Sequence, residues 1–151
     1  MTKIYISAPF KTFTNDIENR FYGVFSDKEY QEFLEAVDDL LTEKGFETCL
    51  PHRDEGLWGE AYILPEDIAE ICFRRIRDCD IFLCFPGTSR GVHIEVGYAA
   101  ALHKEIIVLL PEGERESTLL RGLDKVTTFD VERYSTKDEA MQILDRIFAD
   151  K

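Results

Sequence analysis

Glu95 has the most chemistry to offer in this chain. It stands in Gly91-Val92-His93-Ile94-Glu95-Val96-Gly97-Tyr98, among apolar neighbours, where an isolated carboxylate is costly unless it has a partner or a task. A helix predicted over 92–103 puts it in the first turn, where the helix dipole favours the ionised form and suits a nucleophile better than a general acid. Acidic residues also collect in first turns for stability alone, so both readings stand. Just upstream, Pro86-Gly87-Thr88-Ser89-Arg90-Gly91 leads into the same helix. Free amides at a helix start favour an anion, and this turn reads either as an anion cradle or as an ordinary strand-to-helix connection. Lys11, Arg53 and Arg90 are cations on three polar loops, over 8–25, 51–63 and 86–91, and a phosphate would need one or two such charges. Phe10 and Trp58 either stack on a flat ligand or staple these loops to the core.

The elements that must carry these loops alternate. A strand is predicted over 3–7. A helix follows, N-capped by Ser26, with Tyr30, Phe33, Leu34, Val37, Leu40 and Leu41 at helical spacing and a stop at Gly45. A second strand over 46–50 ends at Pro51, and 52–60 read as irregular. Pro65 opens a helix carrying Ile68, Ile71, Cys72, Arg75 and Ile76 towards Asp78. Ile81 to Phe85 is apolar on both faces, as a central parallel strand requires. The helix over 92–103, a strand over 105–110, a short strand over 125–131 and a helix over 136–148 complete the series. Alternation of this kind makes an α/β domain, flavodoxin-like (Rossmann-like), with a mostly parallel five-stranded sheet and helices on both faces. In such sheets the ligand sits at the carboxyl ends of the strands, where the three loops lie.

Composition narrows the function. At 151 residues the chain has the size of one domain with one site. Its net charge of -12 repels polyanions and argues against nucleic acid, while a small anion stays possible beside locally placed cations. No apolar run is long enough to span a membrane. The opening Met1-Thr2-Lys3-Ile4-Tyr5 enters a strand pattern directly, so no targeting segment and a cytoplasmic address are expected. The cysteines at 49, 72, 79 and 84 form no C-x-x-C pair and read as buried free thiols rather than a metal or redox set.

Tyr5-Ile6-Ser7-Ala8-Pro9-Phe10, Asp80 at a strand start and the stretch from Gly91 to Lys104 resemble the nucleoside 2-deoxyribosyltransferase family, which includes nucleoside 5'-monophosphate N-hydrolases. The resemblance covers nearly the whole chain, as a single domain over 1–151. Its most specific part is Gly91-x-x-x-Glu95-x-Gly97, because that glutamate is the family's nucleophile. His52-Arg53-x-Glu55 with Trp58-Gly59, then Phe85-Pro86-Gly87 and Leu109-Leu110-Pro111-Glu112, resemble the cytidylate and hydroxymethyl-CMP hydrolase subgroup. Ser89 stands where transferases carry an aspartate and nucleotide hydrolases a phosphate-binding serine; a hydroxyl can donate to a phosphate that an aspartate would repel. Lys11 replaces an arginine near the substrate, keeping the charge without the planar fork. Ser117 resembles a serine lent to the neighbouring subunit's phosphate site.

The resemblance therefore implies Glu95 and Tyr5 as catalytic residues, with the Tyr5 hydroxyl orienting Glu95. It implies Ser7, Pro9, Phe10, Lys11, His52, Arg53, Trp58, Gly87, Ser89, Gly91 and Ser117 as substrate contacts. No metal or cofactor is implied, and a homodimer or larger homo-oligomer with shared sites is. The implied reaction is hydrolysis of the base–sugar bond of a (deoxy)nucleoside 5'-monophosphate, a pyrimidine nucleotide, through a glutamate-linked glycosyl intermediate. Tyr5 stands where ribose-accepting relatives carry phenylalanine, which points to deoxyribose. One departure is Cys72, at the place of a family aspartate that holds or protonates the base; a thiol is a weak donor, and Asp67 could substitute only if the helix register shifted. The alternatives are a transferase that exchanges bases and a nucleotide-binding sensor without turnover.

Overall fold

The computed structural model describes residues 1–10, 27–61 and 63–151. Five strands form one sheet: β1 (Lys3–Ser7), β2 (Glu47–Cys49), β3 (Ile81–Cys84), β4 (Glu105–Pro111) and β5 (Phe129–Tyr134). Their order is β2-β1-β3-β4-β5 and every pairing is parallel. This is the flavodoxin-like order, whose switch point lies between β1 and β3. Among the described residues, five α-helices connect and cover the strands: α1 (Lys28–Glu43), α2 (Pro51–Asp54), α3 (Pro65–Arg77), α4 (Arg90–Ala101) and α5 (Lys137–Ile147).

The period of two along each strand divides the core. Ile4, Ile6, Leu83, Ile107 and Leu109 pack with Leu34, Val37 and Leu41 of α1 and Ile143 and Leu144 of α5. Tyr5, Phe82, Cys84, Ile106 and Val108 form the other face with Ile76 of α3 and Val92, Val96, Ala99 and Ala100 of α4. Two apolar faces explain why β3 and β4 read as continuous hydrophobic runs. Each fully buried aliphatic side chain contributes roughly 1.5–3 kcal/mol to holding the layers together.

Several boundaries differ from the sequence reading. Helix α1 is capped by Asp27, whose carboxylate accepts from Tyr30 N at 3.0 Å, and not by Ser26, which lies outside the described residues; a charged oxygen at a helix start gains from the dipole as well as the hydrogen bond. Gly45, at φ +90°, ends it as expected. The stretch read as irregular holds α2 and a 3-10 turn at Leu57–Gly59, because Pro51 stands at a helix start and the Leu50 carbonyl accepts the amides of Arg53 and Asp54. Strand β5 begins at Phe129 rather than near Lys125, since Leu120–Lys125 closes as a 3-10 helix before the chain reaches β4. All four cysteines are free thiols, three buried and Cys49 half-buried, as their apolar settings suggested.

Candidate active site

Strand β1 delivers Tyr5 and Ser7 to the face that α3 and α4 cover. Helix α4 starts at Arg90, two residues earlier than its hydrophobic pattern suggested, because the Ser89 side chain accepts from Val92 N at 3.3 Å and caps it. Glu95 consequently lies in the second turn. Val92, Val96 and Ala99 seat the helix on the sheet, and Glu95 occupies the flank between that buried row and the exposed Ile94.

The Ser7 hydroxyl donates to Glu95 Oε2 at 2.6 Å. Among the described residues only Ser7 hydrogen-bonds this carboxylate, and the buried Tyr5 hydroxyl has no hydrogen-bond partner. Burial raises Glu95 above the usual glutamate range, and the interactions with Ser7, Cys72 and Tyr5 pull it part of the way back. The expectation that the helix dipole holds Glu95 ionised is therefore corrected: the residue is a turn further along the helix, where the dipole has faded, and desolvation wins.

Beside the carboxylate opens a pocket of about 320 Å³, at the small end of ligand-sized cavities. Ala8 and Phe10 from the end of β1, Ile68, Ala69 and Cys72 from α3, and Ser89, Gly91, Val92, Ile94, Glu95 and Tyr98 from α4 line it. Its walls are mostly apolar, and Glu95 and Ser89 both belong to its α4 side. As the cap acceptor, Ser89 keeps its own O–H free to donate into the pocket. The amides of Arg90 and Gly91 have no acceptor among the described residues, and the Arg90 guanidinium pairs with no carboxylate among them. Gly87, at φ +49°, makes the turn that brings Ser89 to this place, a backbone that favours glycine. A carboxylate, an apolar slot for a flat ring and a helix start for an anion thus meet in one cleft.

The family model of nucleoside 2-deoxyribosyltransferase matches residues 23–141. The chain belongs to this family. Among curated proteins, none matches the sequence. Among solved structures it is similar to the CMP N-glycosidase BcmB of Clostridium botulinum, with a TM-score of 0.73 and 28% identity over 97% of this chain and 99% of that one. It is similar to BlsM to the same degree, TM-score 0.73 and 28% identity, over 98% of this chain and 91% of that one. A 2-deoxyribosyltransferase of Bacillus psychrosaccharolyticus shares the fold, at TM-score 0.58 and 16% identity over 93% and 90% of the two chains. The protein is thus an enzyme of a family that acts on nucleosides and nucleotides, built on the flavodoxin-like sheet that the alternation of strands and helices implied. No helix among the described residues is long and apolar enough to cross a membrane.

The remaining residues singled out in the sequence divide sharply. Phe10, Ser89, Gly91 and Glu95 line the pocket, with Ser7 directly behind Glu95. Arg53 does not reach it: its guanidinium binds Asp38 and, at 2.7 Å, Asp54, and Asp38 also accepts from Thr48 at 2.5 Å. These bonds hold α1, β2 and α2 together, so the charge is committed to the scaffold. His52 is buried at 2% exposure and stacks on Phe10 at 4.1 Å between ring centroids. Its Nε2–H donates to the Pro9 carbonyl at 3.1 Å, because a carbonyl can only accept, and the Tyr30 hydroxyl donates to the same oxygen at 2.5 Å. Pro9 and His52 therefore fix the Phe10 wall from behind. Trp58 packs against the α1 side of the core and beside His52, and is not among the described residues that line this pocket.

Lys11 lies outside the described residues. Ser117 follows β4, half-buried, and is not part of this chain's pocket. Tyr5 is fully buried, stacked on Phe82 at 5.6 Å. Ile68, Ile94, Tyr98 and Cys72 are pocket walls that were not named as contacts. The spacing of Ile94 and Tyr98, one before and three after Glu95 on one helix, was the available signal.

Proposed function

We propose that this pocket hydrolyses the base–sugar bond of a (deoxy)nucleoside 5'-monophosphate, with a pyrimidine nucleotide as its substrate. The observation that carries the reading is the pairing within one pocket of a half-buried, Ser7-bonded carboxylate with a serine-capped helix start. Ionised Glu95 attacks C1' as the C1'–N bond breaks and the electron pair leaves with the base. Water then attacks C1', the ester bond to Glu95 breaks, and the carboxylate is regenerated. The 5'-phosphate is held by the Ser89 O–H, the amides of Arg90 and Gly91, and the Arg90 guanidinium. Phe10, Ile68 and Tyr98 enclose the flat base. Likeness to the CMP N-glycosidase supports the pyrimidine, and Tyr5 in place of phenylalanine favours deoxyribose.

The family also contains transferases, in which a second base takes the place of water. Serine at 89 favours the phosphorylated substrate and hence the hydrolase, because an aspartate there would repel a dianion. Incubation with each common ribonucleoside and deoxynucleoside monophosphate, with the matching nucleosides alongside, and chromatography of the released base tests the reading. Base release from monophosphates, absent in Glu95→Gln, is the expected result. Exchange between a deoxynucleoside and free adenine, without net hydrolysis, establishes a transferase instead. Tight nucleotide binding without turnover establishes a sensor.

We further propose a homodimer, or a larger symmetric oligomer, in which Ser117 completes the neighbour's phosphate site. Ser117 lies beside Leu119, which is 85% exposed, and α4 presents Ile94, Gly97 and Ala101 on one exposed apolar face. Apolar surface of this kind supports contact with a second copy.

A further inference from the structure

Phe10 closes the pocket from the end of β1, and the groups that hold its ring come from elsewhere in the fold. The pocket opens on the face of the sheet that α3 and α4 cover, yet Tyr30 belongs to α1 and packs in the layer on the opposite face. Its hydroxyl reaches the chain just past β1 and donates to the Pro9 carbonyl at 2.5 Å. His52 of α2 donates to the same oxygen from Nε2 at 3.1 Å. The His52 ring lies nearly parallel to Phe10, with 9° between the planes and 4.1 Å between the centroids. Gly56 closes in on the same ring, since a Cβ there would stand 3.7 Å from Phe10 Cε1.

A carbonyl oxygen has two lone pairs, and these two donors engage both. The Pro9 ring already locks φ, so fixing the direction of its carbonyl fixes ψ as well, and with ψ the peptide plane from which Phe10 departs. The side-chain torsions of Phe10 are then held by stacking on His52. Both donors are kept in the form that can donate. Burial raises Tyr30 far above the ordinary tyrosine range and lowers His52 to about 4, so the phenol keeps its proton and the imidazole stays neutral with a single N–H. That N–H is on Nε2, and Nδ1 is left buried without a hydrogen-bond partner among the described residues.

We propose that Tyr30 and His52 are positioning residues for the base: acting through the Pro9 carbonyl and the ring stack, they hold Phe10 as a preformed wall of the slot. This deepens the glycosidase reading and rests on it. Neither side chain lines the pocket, and neither takes part in breaking the bond at C1'. A ring that had to be ordered on binding would lose part of its stacking to that ordering, whereas a wall ordered in advance keeps it. The two residues therefore act on the affinity for the base and leave the affinity for the sugar phosphate alone.

Calorimetric titration in a Glu95→Gln background, which holds substrate without consuming it, separates these parts when deoxycytidine 5'-monophosphate is compared with 2-deoxyribose 5-phosphate. Adding Tyr30→Phe, which deletes one hydroxyl, should weaken the nucleotide about fivefold, the scale of one neutral hydrogen bond, with the sugar phosphate unchanged. His52→Phe, which keeps a flat ring and loses the donor, should do the same. A second readout needs no ligand: para-fluorophenylalanine placed at position 10 should give one sharp fluorine resonance in the otherwise native protein, shifted and broadened by either substitution. An unchanged nucleotide affinity, an equal loss on both ligands, or a fluorine resonance indifferent to both substitutions overturns the proposal. If the Glu95→Gln protein binds neither ligand, the glycosidase reading fails, and the fluorine resonance still decides whether Tyr30 and His52 hold the Phe10 ring.

Discussion

Ser7 and Glu95, 88 positions apart in sequence, are joined by a 2.6 Å hydrogen bond from the serine hydroxyl to Oε2. The bond ties the end of β1 to the second turn of α4 and opposes the burial that raises Glu95. Ser7→Ala should move the acid limb of kcat to higher pH and lower activity on that limb by about tenfold, because a donor to the charged form is lost. A pH profile identical to the native one would remove Ser7 from the site.

Glu95→Gln should abolish base release and, at neutral pH, stabilise the fold. A carboxylate whose folded pKa is raised above its ordinary 4.5 favours folding at low pH, and that contribution disappears as pH rises through the folded value. The neutral amide avoids the loss and can still accept from Ser7. Denaturant midpoints for the two proteins should coincide below about pH 4.5 and separate above it, with the variant the more stable.

Ser89→Asp preserves the cap, since aspartate caps helices as well as serine does, and it sets a negative charge where the phosphate is proposed to bind. The variant should keep its stability and lose monophosphate turnover far more than nucleoside turnover. Equal losses on both substrates would show that Ser89 does not contact phosphate. Ser89→Ala should cost about 1 kcal/mol of stability, the typical value of an N-cap.

Burial lowers His52 from 6.5 to about 4, so the folded protein holds it neutral where the unfolded chain would protonate it. Its contribution to stability is complete above pH 6.5 and is lost as pH falls through about 4, a total of roughly 3 kcal/mol. Stability measured against pH in the native protein and in His52→Gln should diverge across that window. Parallel curves would mean that His52 is not held neutral behind Phe10.

Mixing Glu95→Ala with Ser117→Ala subunits tests the proposed shared site. A hybrid dimer has one site with both native residues and one with neither, so the mixture should exceed either parent in activity. A fully active monomer in sedimentation at working concentration would rule the shared site out.

The alternation of strands and helices was legible because period-two and period-3.6 patterns are local properties of a chain. So was Glu95, since a carboxylate in an apolar helix draws notice, and so was the turn from Gly87 to Gly91. What local pattern cannot carry is partnership. Arg53 reads as an available cation until the fold sets Asp38 of α1 against it, and His52 reads as a contact until α2 buries it behind Phe10. The cap at Ser89 started α4 early and placed Glu95 beyond the reach of the helix dipole, so its ionisation is set by desolvation and by Ser7. Cys72 shows the difference most clearly. In sequence it is a missing carboxylate; in the folded chain, α3 packed against α4 puts its thiol beside the one carboxylate of the pocket among the described residues, because which groups meet across a sheet depends on strand order and helix packing and not on spacing along the chain.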